Sequence, residues 1–158
     1  MVKPFLLVLS FFLFLYPAAA QVKTLPEFSL QRVSDGTAYT RKNVPEGKKT
    51  FFLFFDTECP HCMRATSAYN AHAKELSATS VILVTMDPKE AVMAFLNKYG
   101  VNLYGKKNVT LLFDPNRQFI ARFLPRKFPA MYLFNAKGDL LLYSDEEKDV
   151  PQFIQQIK

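Results

Sequence analysis

The segment from Thr50 to Cys62 constrains this chain more than any other. It reads Thr50-Phe51-Phe52-Leu53-Phe54-Phe55, then Asp56-Thr57-Glu58, then Cys59-Pro60-His61-Cys62. The first six residues form an apolar run of strand length, and a helical pattern opens at Pro60. A buried strand that ends in C-x-x-C at a helix N-terminus is a way to build a reactive dithiol. The first cysteine then sits at the positive end of the helix dipole, where free backbone N–H groups stabilise a thiolate. Pro60 suits the first helical position, because the N–H it lacks would have had no intrahelical partner. Cys59 and Cys62 are the only cysteines, so no other pair competes for them.

Other uses of the same residues are weaker. A structural zinc site needs four ligands, and C-x-x-C supplies two. His61 lies inside the pair and His72 ten residues beyond it, with no second pair elsewhere. Haem attachment requires His directly after the second cysteine, where Met63 stands. Copper transfer through two thiolates stays open chemically, although no Met- or His-rich patch supports it. An inert disulfide here would close a loop of a few residues and remove little unfolded-state entropy. The residues favour a redox-active pair in which Cys59, nearer the helix end and more exposed, attacks, and Cys62, one turn further in, resolves. No cofactor is implied. His61, when protonated, would stabilise the Cys59 thiolate and make the pair more oxidising; the alternative is an exposed polar residue of the first turn.

The N-terminus differs from the rest. Lys3 is followed by an almost wholly apolar stretch from Phe5 to Tyr16, and Pro17-Ala18-Ala19-Ala20 offers an A-x-A cleavage site before Gln21. The apolar stretch is short of the ~20 residues that span a bilayer as a helix. The expectation is a cleaved secretory signal over residues 1–20, one domain over 21–158, and no stable membrane insertion after cleavage. Export places the cysteines in an oxidising compartment, so a cycling pair there needs an external partner to reset it. The formal charge of +6 is spread over scattered pairs, Arg41-Lys42, Lys48-Lys49, Lys106-Lys107 and Arg126-Lys127. There is no basic stripe with interleaved aromatics of the kind that grips single-stranded nucleic acid, so no nucleic-acid partner is expected. Asp145-Glu146-Glu147 reads as an exposed acidic turn.

Along the chain, the pattern predicts a short strand at Pro26–Leu30, a turn at Ser34–Thr37 and a return strand to Thr40. After the buried strand at 50–55, a helix is expected from Pro60 to about Ala78 and a second buried strand from Ser80 to Met86. Asp87-Pro88-Lys89-Glu90 resembles a capped start for a helix that ends near Gly100. Val109–Asp114 reads as a strand and Asn116–Leu124 as a helical turn or helix. Ala130–Phe134 and Asp139–Tyr143 are strands joined by Asn135-Ala136-Lys137-Gly138, with Gly supplying positive φ. A last helix spans Val150–Ile157. The order β-β-β-α-β-α-β-α-β-β-α implies an α/β domain with helices on both sides of a mixed sheet, and the aromatic content of 15% is most simply core filling.

Three segments carry a resemblance to a known family: Phe54 to Met63 before the long helix, Leu112-Phe113-Asp114-Pro115, and Phe128-Pro129-Ala130-Met131-Tyr132-Leu133-Phe134 with its following turn. Together they resemble the thioredoxin fold. More narrowly, the chain is similar to exported TlpA-like, redoxin-type thiol-disulfide oxidoreductases, which add an N-terminal β-hairpin introduced by a Pro-acid-Phe segment such as Pro26-Glu27-Phe28. The resemblance implies a central mixed sheet flanked by helices, catalytic Cys59 and Cys62, and a cis-proline at Pro129 facing them. A proline there cannot donate to the sheet, so a substrate strand can pair at that edge. Phe128, bulkier than the usual Thr or Val, implies narrowed substrate access.

The chain departs from the pattern in several places. Glu58 stands where many relatives have Trp, and a carboxylate beside Cys59 opposes its ionisation unless turned to solvent. The strand position of the buried thioredoxin acid is Leu53, so a base for the second thiol is missing or supplied by Glu58, Asp56 or water. The related peroxiredoxins need Thr or Ser three residues before the peroxidatic cysteine. Asp56 precedes Cys59 by three, and Cys59 precedes Cys62, which argues against a peroxidase. Pro60-His61 resembles the dipeptide of the disulfide-donating oxidase DsbA, whose large helical insertion has little room here. The resemblance therefore implies a periplasmic, reductase-like enzyme acting on protein thiols and disulfides with a membrane redox partner. A DsbA-like oxidase or a non-catalytic copper or thiol carrier is the alternative.

Overall fold

The computed structural model describes residues 21–158; the expected signal segment, 1–20, lies outside them. Eleven elements follow in order: β1 (Ser29–Arg32), β2 (Ala38–Thr40), β3 (Thr50–Phe54), α1 (Pro60–Ala71), β4 (Ser80–Thr85), α2 (Lys89–Tyr99), β5 (Val109–Phe113), α3 (Gln118–Phe123), β6 (Ala130–Phe134), β7 (Leu140–Ser144) and α4 (Val150–Ile157). The strands form one seven-stranded sheet in the order β2-β1-β5-β4-β3-β6-β7. β3, β4 and β5 are mutually parallel, while β6, β7 and the β1–β2 hairpin run antiparallel to their neighbours.

The unbroken apolar run of β3 follows from its central place, because a strand covered on both faces has no polar side to alternate with. Successive side chains point to opposite faces. Phe51, Leu53 and Phe55 join Tyr69, Phe95 and Phe153 under α1, α2 and α4. Phe52 and Phe54 join Phe28, Phe119, Phe123 and Tyr132 on the other face, under α3 and the N-terminal hairpin. Phe119 and Phe123 stack with ring centroids 3.9 Å apart, and Phe123 lies 5.0 Å from Phe52. Among the described residues no helix is long and apolar enough to cross a membrane.

Several boundaries move for identifiable reasons. α1 stops at Ala71, not near Ala78, and the chain turns through His72 before a single 3-10 turn at Glu75–Ala78. That turn drops Leu76 into the core at 1% exposure, a placement that a continued helix would not give it. β1 starts at Ser29, not Pro26, since proline has no N–H for the ladder. The segment before it instead hooks the far edge of the sheet: the Leu25 N–H donates to Gly138 O at 2.7 Å and the Leu140 N–H to Lys23 O at 2.8 Å. Asp87 does not cap α2, whose N-cap is Pro88 without a side-chain bond. Its Oδ2 accepts the Thr57 N–H at 2.7 Å and the Thr85 hydroxyl at 3.2 Å.

Candidate active site

The dithiol stands where β3 runs out. The Phe55 N–H donates to Val84 O at 3.0 Å, the last bond of the parallel pair. The chain then turns through Asp56-Thr57-Glu58, with Asp56 Oδ1 accepting the Glu58 N–H at 2.8 Å. Asp87, reaching across from the end of β4, clamps the same turn at Thr57. Cys59 follows as the N-cap of α1, with Pro60 in the first turn. Its Sγ accepts the Cys62 N–H at 3.4 Å, so one of the orphan donors of the helix start points at the sulfur. Cys59 is half-buried and Cys62 fully buried, and both are thiols. Burial pushes the Cys62 thiol far up, against a backbone hydrogen bond from Asp56, and the charges of Cys59 and Asp56 add to the rise.

Opposite the thiols, β6 begins. The Phe128–Pro129 peptide is cis, and the Phe128 carbonyl oxygen stands 4.0 Å from Cys59 Sγ. Pro129 is buried. The Phe128 ring is half-buried and packs on Phe54, centroids 4.7 Å apart, so it fills space between the two core clusters as well as facing the site. Leu53 is completely buried and offers no acid. Glu58 is exposed. Of the two nearby carboxylates it is Asp56 whose charge is felt at Cys62.

The basic groups near the site are each paired with an acid. His61 is exposed, and its Nδ1 lies 3.1 Å from Glu147 Oε2 and 3.0 Å from Arg64 Nη2. Arg64 Nε donates to Glu147 Oε1 at 2.7 Å. Arg126 makes a two-pronged pair with Asp145, at 2.8 and 3.0 Å, and Lys127 pairs with Glu146. Asp145-Glu146-Glu147 is therefore exposed only in part, with Asp145 buried and Glu146 partly open. Asp145 is 5% exposed, and its Oδ2 also accepts the Tyr143 hydroxyl at 3.2 Å. Each of these acids matches cations on the walls of the dithiol, α1 on one side and the loop before Pro129 on the other. His72 sits at the far end of α1, its Nδ1 3.0 Å from Glu75. The sequence pattern assigns Asp87 and Glu147 other places because their partners lie 30 and 86 residues away, with no local spacing to betray them.

Comparison with known proteins agrees with this geometry. No curated protein sequence matches the chain. Among solved structures, a Neisseria meningitidis protein assigned as a thioredoxin is 25% identical, with TM-score 0.68 over 85% of this chain and 87% of that one. A secreted Mycobacterium tuberculosis disulfide oxidoreductase homologous to the E. coli protein DsbE is 19% identical, with TM-score 0.66 over 82% and 95%. A Chlorobium tepidum protein assigned as the thiol:disulfide interchange protein DsbE is 18% identical, with TM-score 0.68 over 87% and 97%. These neighbours share the thioredoxin-like fold, and the AhpC/TSA family model matches residues 22–141. The chain thus belongs to the AhpC/TSA family, as a thioredoxin-fold member that carries Cys59 and Cys62 in C-x-x-C spacing.

Proposed function

We propose that the protein is an exported thiol-disulfide oxidoreductase that works in the reductive direction on protein disulfides. The observation that carries the exchange chemistry is the asymmetry of the pair. Cys59 is reachable, receives a helix-start N–H and faces the Phe128 carbonyl, whereas Cys62 is sealed beneath it. In the forward cycle the Cys59 thiolate attacks one sulfur of a client disulfide. The client S–S bond breaks, a mixed disulfide forms, and the departing client thiolate takes up a proton. Cys62 then gives up its proton and attacks the Cys59 sulfur, releasing the second client thiol and leaving a Cys59–Cys62 disulfide. Two electrons have passed from the protein to the client. A membrane dithiol donor resets the pair by the same exchange in reverse.

The backbone edge at Phe128 and Pro129 is the docking place for the client strand, since Pro129 offers no N–H of its own to the sheet. Pro60 starts the helix whose N–H groups face Cys59. Asp56, whose charge is felt at Cys62, is the candidate to receive its proton in place of the missing strand acid. The reductive direction is supported by the pairing of Arg64 with Glu147. With its charge matched, Arg64 adds little to the field that would make the pair a strong oxidant. Export is supported by the apolar stretch and small-residue site of residues 1–20, and it is checked by the N-terminal mass of the protein recovered from the cell envelope.

The test is reduction of insulin by the domain with dithiothreitol as donor. Catalysis is expected, Cys59→Ser is expected to abolish it, and Cys62→Ser is expected to accumulate the mixed disulfide. Variants as active as the parent would refute the scheme.

A further inference from the structure

We infer that Glu147 is a positioning residue for the dithiol, neutralising Arg64 so that its positive field is withheld from the Cys59 thiolate. The inference rests on the redox reading above and deepens it. Glu147 opens the 3-10 turn Glu147–Asp149 that leads into α4, yet both of its oxygens serve α1: Oε1 takes Arg64 Nε at 2.7 Å and Oε2 lies 3.1 Å from His61 Nδ1. These are the charged groups that face His61, one from its own helix and one from the turn packed against it. Arg64 is held charged first by its hydrogen bond to Glu147, and it also feels the charge of Cys59. An unmatched Arg64 would therefore act on the thiolate directly.

The neighbouring acids repeat the pattern. Asp145 takes Arg126 and Glu146 takes Lys127, both on the loop that leads to Pro129. A single tripeptide thus matches cations on both sides of the thiols. Without Glu147, Arg64 would act on Cys59 with unmatched positive charge, favour its thiolate and shift the pair toward the reduced form.

The side chains of His61 and Arg64 are 62% and 56% exposed, so water and salt screen the effect and its size is modest. Glu147→Gln is expected to shift the equilibrium with glutathione about two- to fivefold toward the dithiol, equivalent to about 10–20 mV. Glu147→Asp should largely restore the parent value. The shift should shrink at high salt, and it should be smaller when Glu147→Gln is made in an Arg64→Gln background. A purely structural role would alter the melting temperature but not this salt-dependent potential. If the parent equilibrates with glutathione and Glu147→Gln titrates identically or in the opposite direction, the inference fails while the redox reading stands. If the parent never exchanges with glutathione, the redox reading fails and takes the inference with it.

Discussion

The Cys59 sulfur and the Phe128 carbonyl oxygen stand 4.0 Å apart although 69 residues of chain separate them. Their approach is a consequence of strand register. β3 and β6 pair antiparallel with Phe54 opposite Ala130, so the end of one strand and the start of the other meet at the same edge of the sheet. The thiol arrives on a helix start and the carbonyl on a proline turn, and the sheet holds both.

That register gives Phe128 two roles. Its ring lies against Phe54, and Phe128→Thr should lower the free energy of unfolding by about 1–3 kcal/mol, less than for a fully buried phenylalanine. Urea denaturation measures this. Compared where both proteins are folded, exchange with a small peptide disulfide should be faster in the variant. An unchanged rate would leave the ring a packing residue alone.

Cys62 makes the reduced protein sensitive to alkali. Its folded-state pKa is raised by burial, so its contribution to stability is fully present below the unfolded thiol value of about 8.5 and is lost as pH rises above it. Between about pH 8.5 and 10 the unfolded chain ionises and the folded thiol does not. The urea midpoint of the reduced protein should therefore fall across that window, and Cys62→Ser should flatten the fall. Above it Tyr69 and Tyr132, also raised chiefly by burial, should steepen the decline. A midpoint independent of pH in the parent would contradict the burial argument.

The two acid–base pairs on the loop before Pro129 should differ. Asp145 is buried and holds Arg126 with two bonds as well as the Tyr143 hydroxyl, so Asp145→Ala leaves Tyr143 and Arg126 without their acceptor. A clear drop in melting temperature and slower insulin reduction are expected. Glu146 pairs with Lys127 in the open, and Glu146→Gln should leave the melting temperature nearly unchanged.

Thr66 offers a stabilising change. It is 1% exposed on the inner face of α1, and its hydroxyl has no hydrogen-bond partner among the described residues. Thr66→Val keeps the shape and removes the unsatisfied group, so it should raise stability by up to about 1 kcal/mol. Chemical denaturation decides the sign, and a loss would mean that the hydroxyl is satisfied in solution.

What could be read from the sequence was local. The apolar run of β3, Pro60 directly after Cys59 and the Asn135–Gly138 turn each specify their own neighbourhood, and they gave the element order, the mixed sheet and the likeness to thioredoxin. The errors were of two physical kinds. The end of α1 and the start of β1 were set by tertiary demands, the burial of Leu76 and the hook of residues 23–25 onto β7. The charges were misjudged because Asp87, Asp145 and Glu147 are spent on partners distant in sequence. A basic pair such as Arg126-Lys127 carries no sign that acids 19 residues onward will meet it.

The reduction potential of the Cys59–Cys62 pair, obtained by equilibrating the domain in glutathione buffers, separates a reductase from an oxidase. Reversible formation of a Cys59–Cys62 disulfide is expected, with a potential toward the thioredoxin end of the range, roughly −270 mV. A value near roughly −120 mV, the strongly oxidising end, would contradict the reductive direction, and a pair that never exchanges with glutathione would contradict the redox role itself.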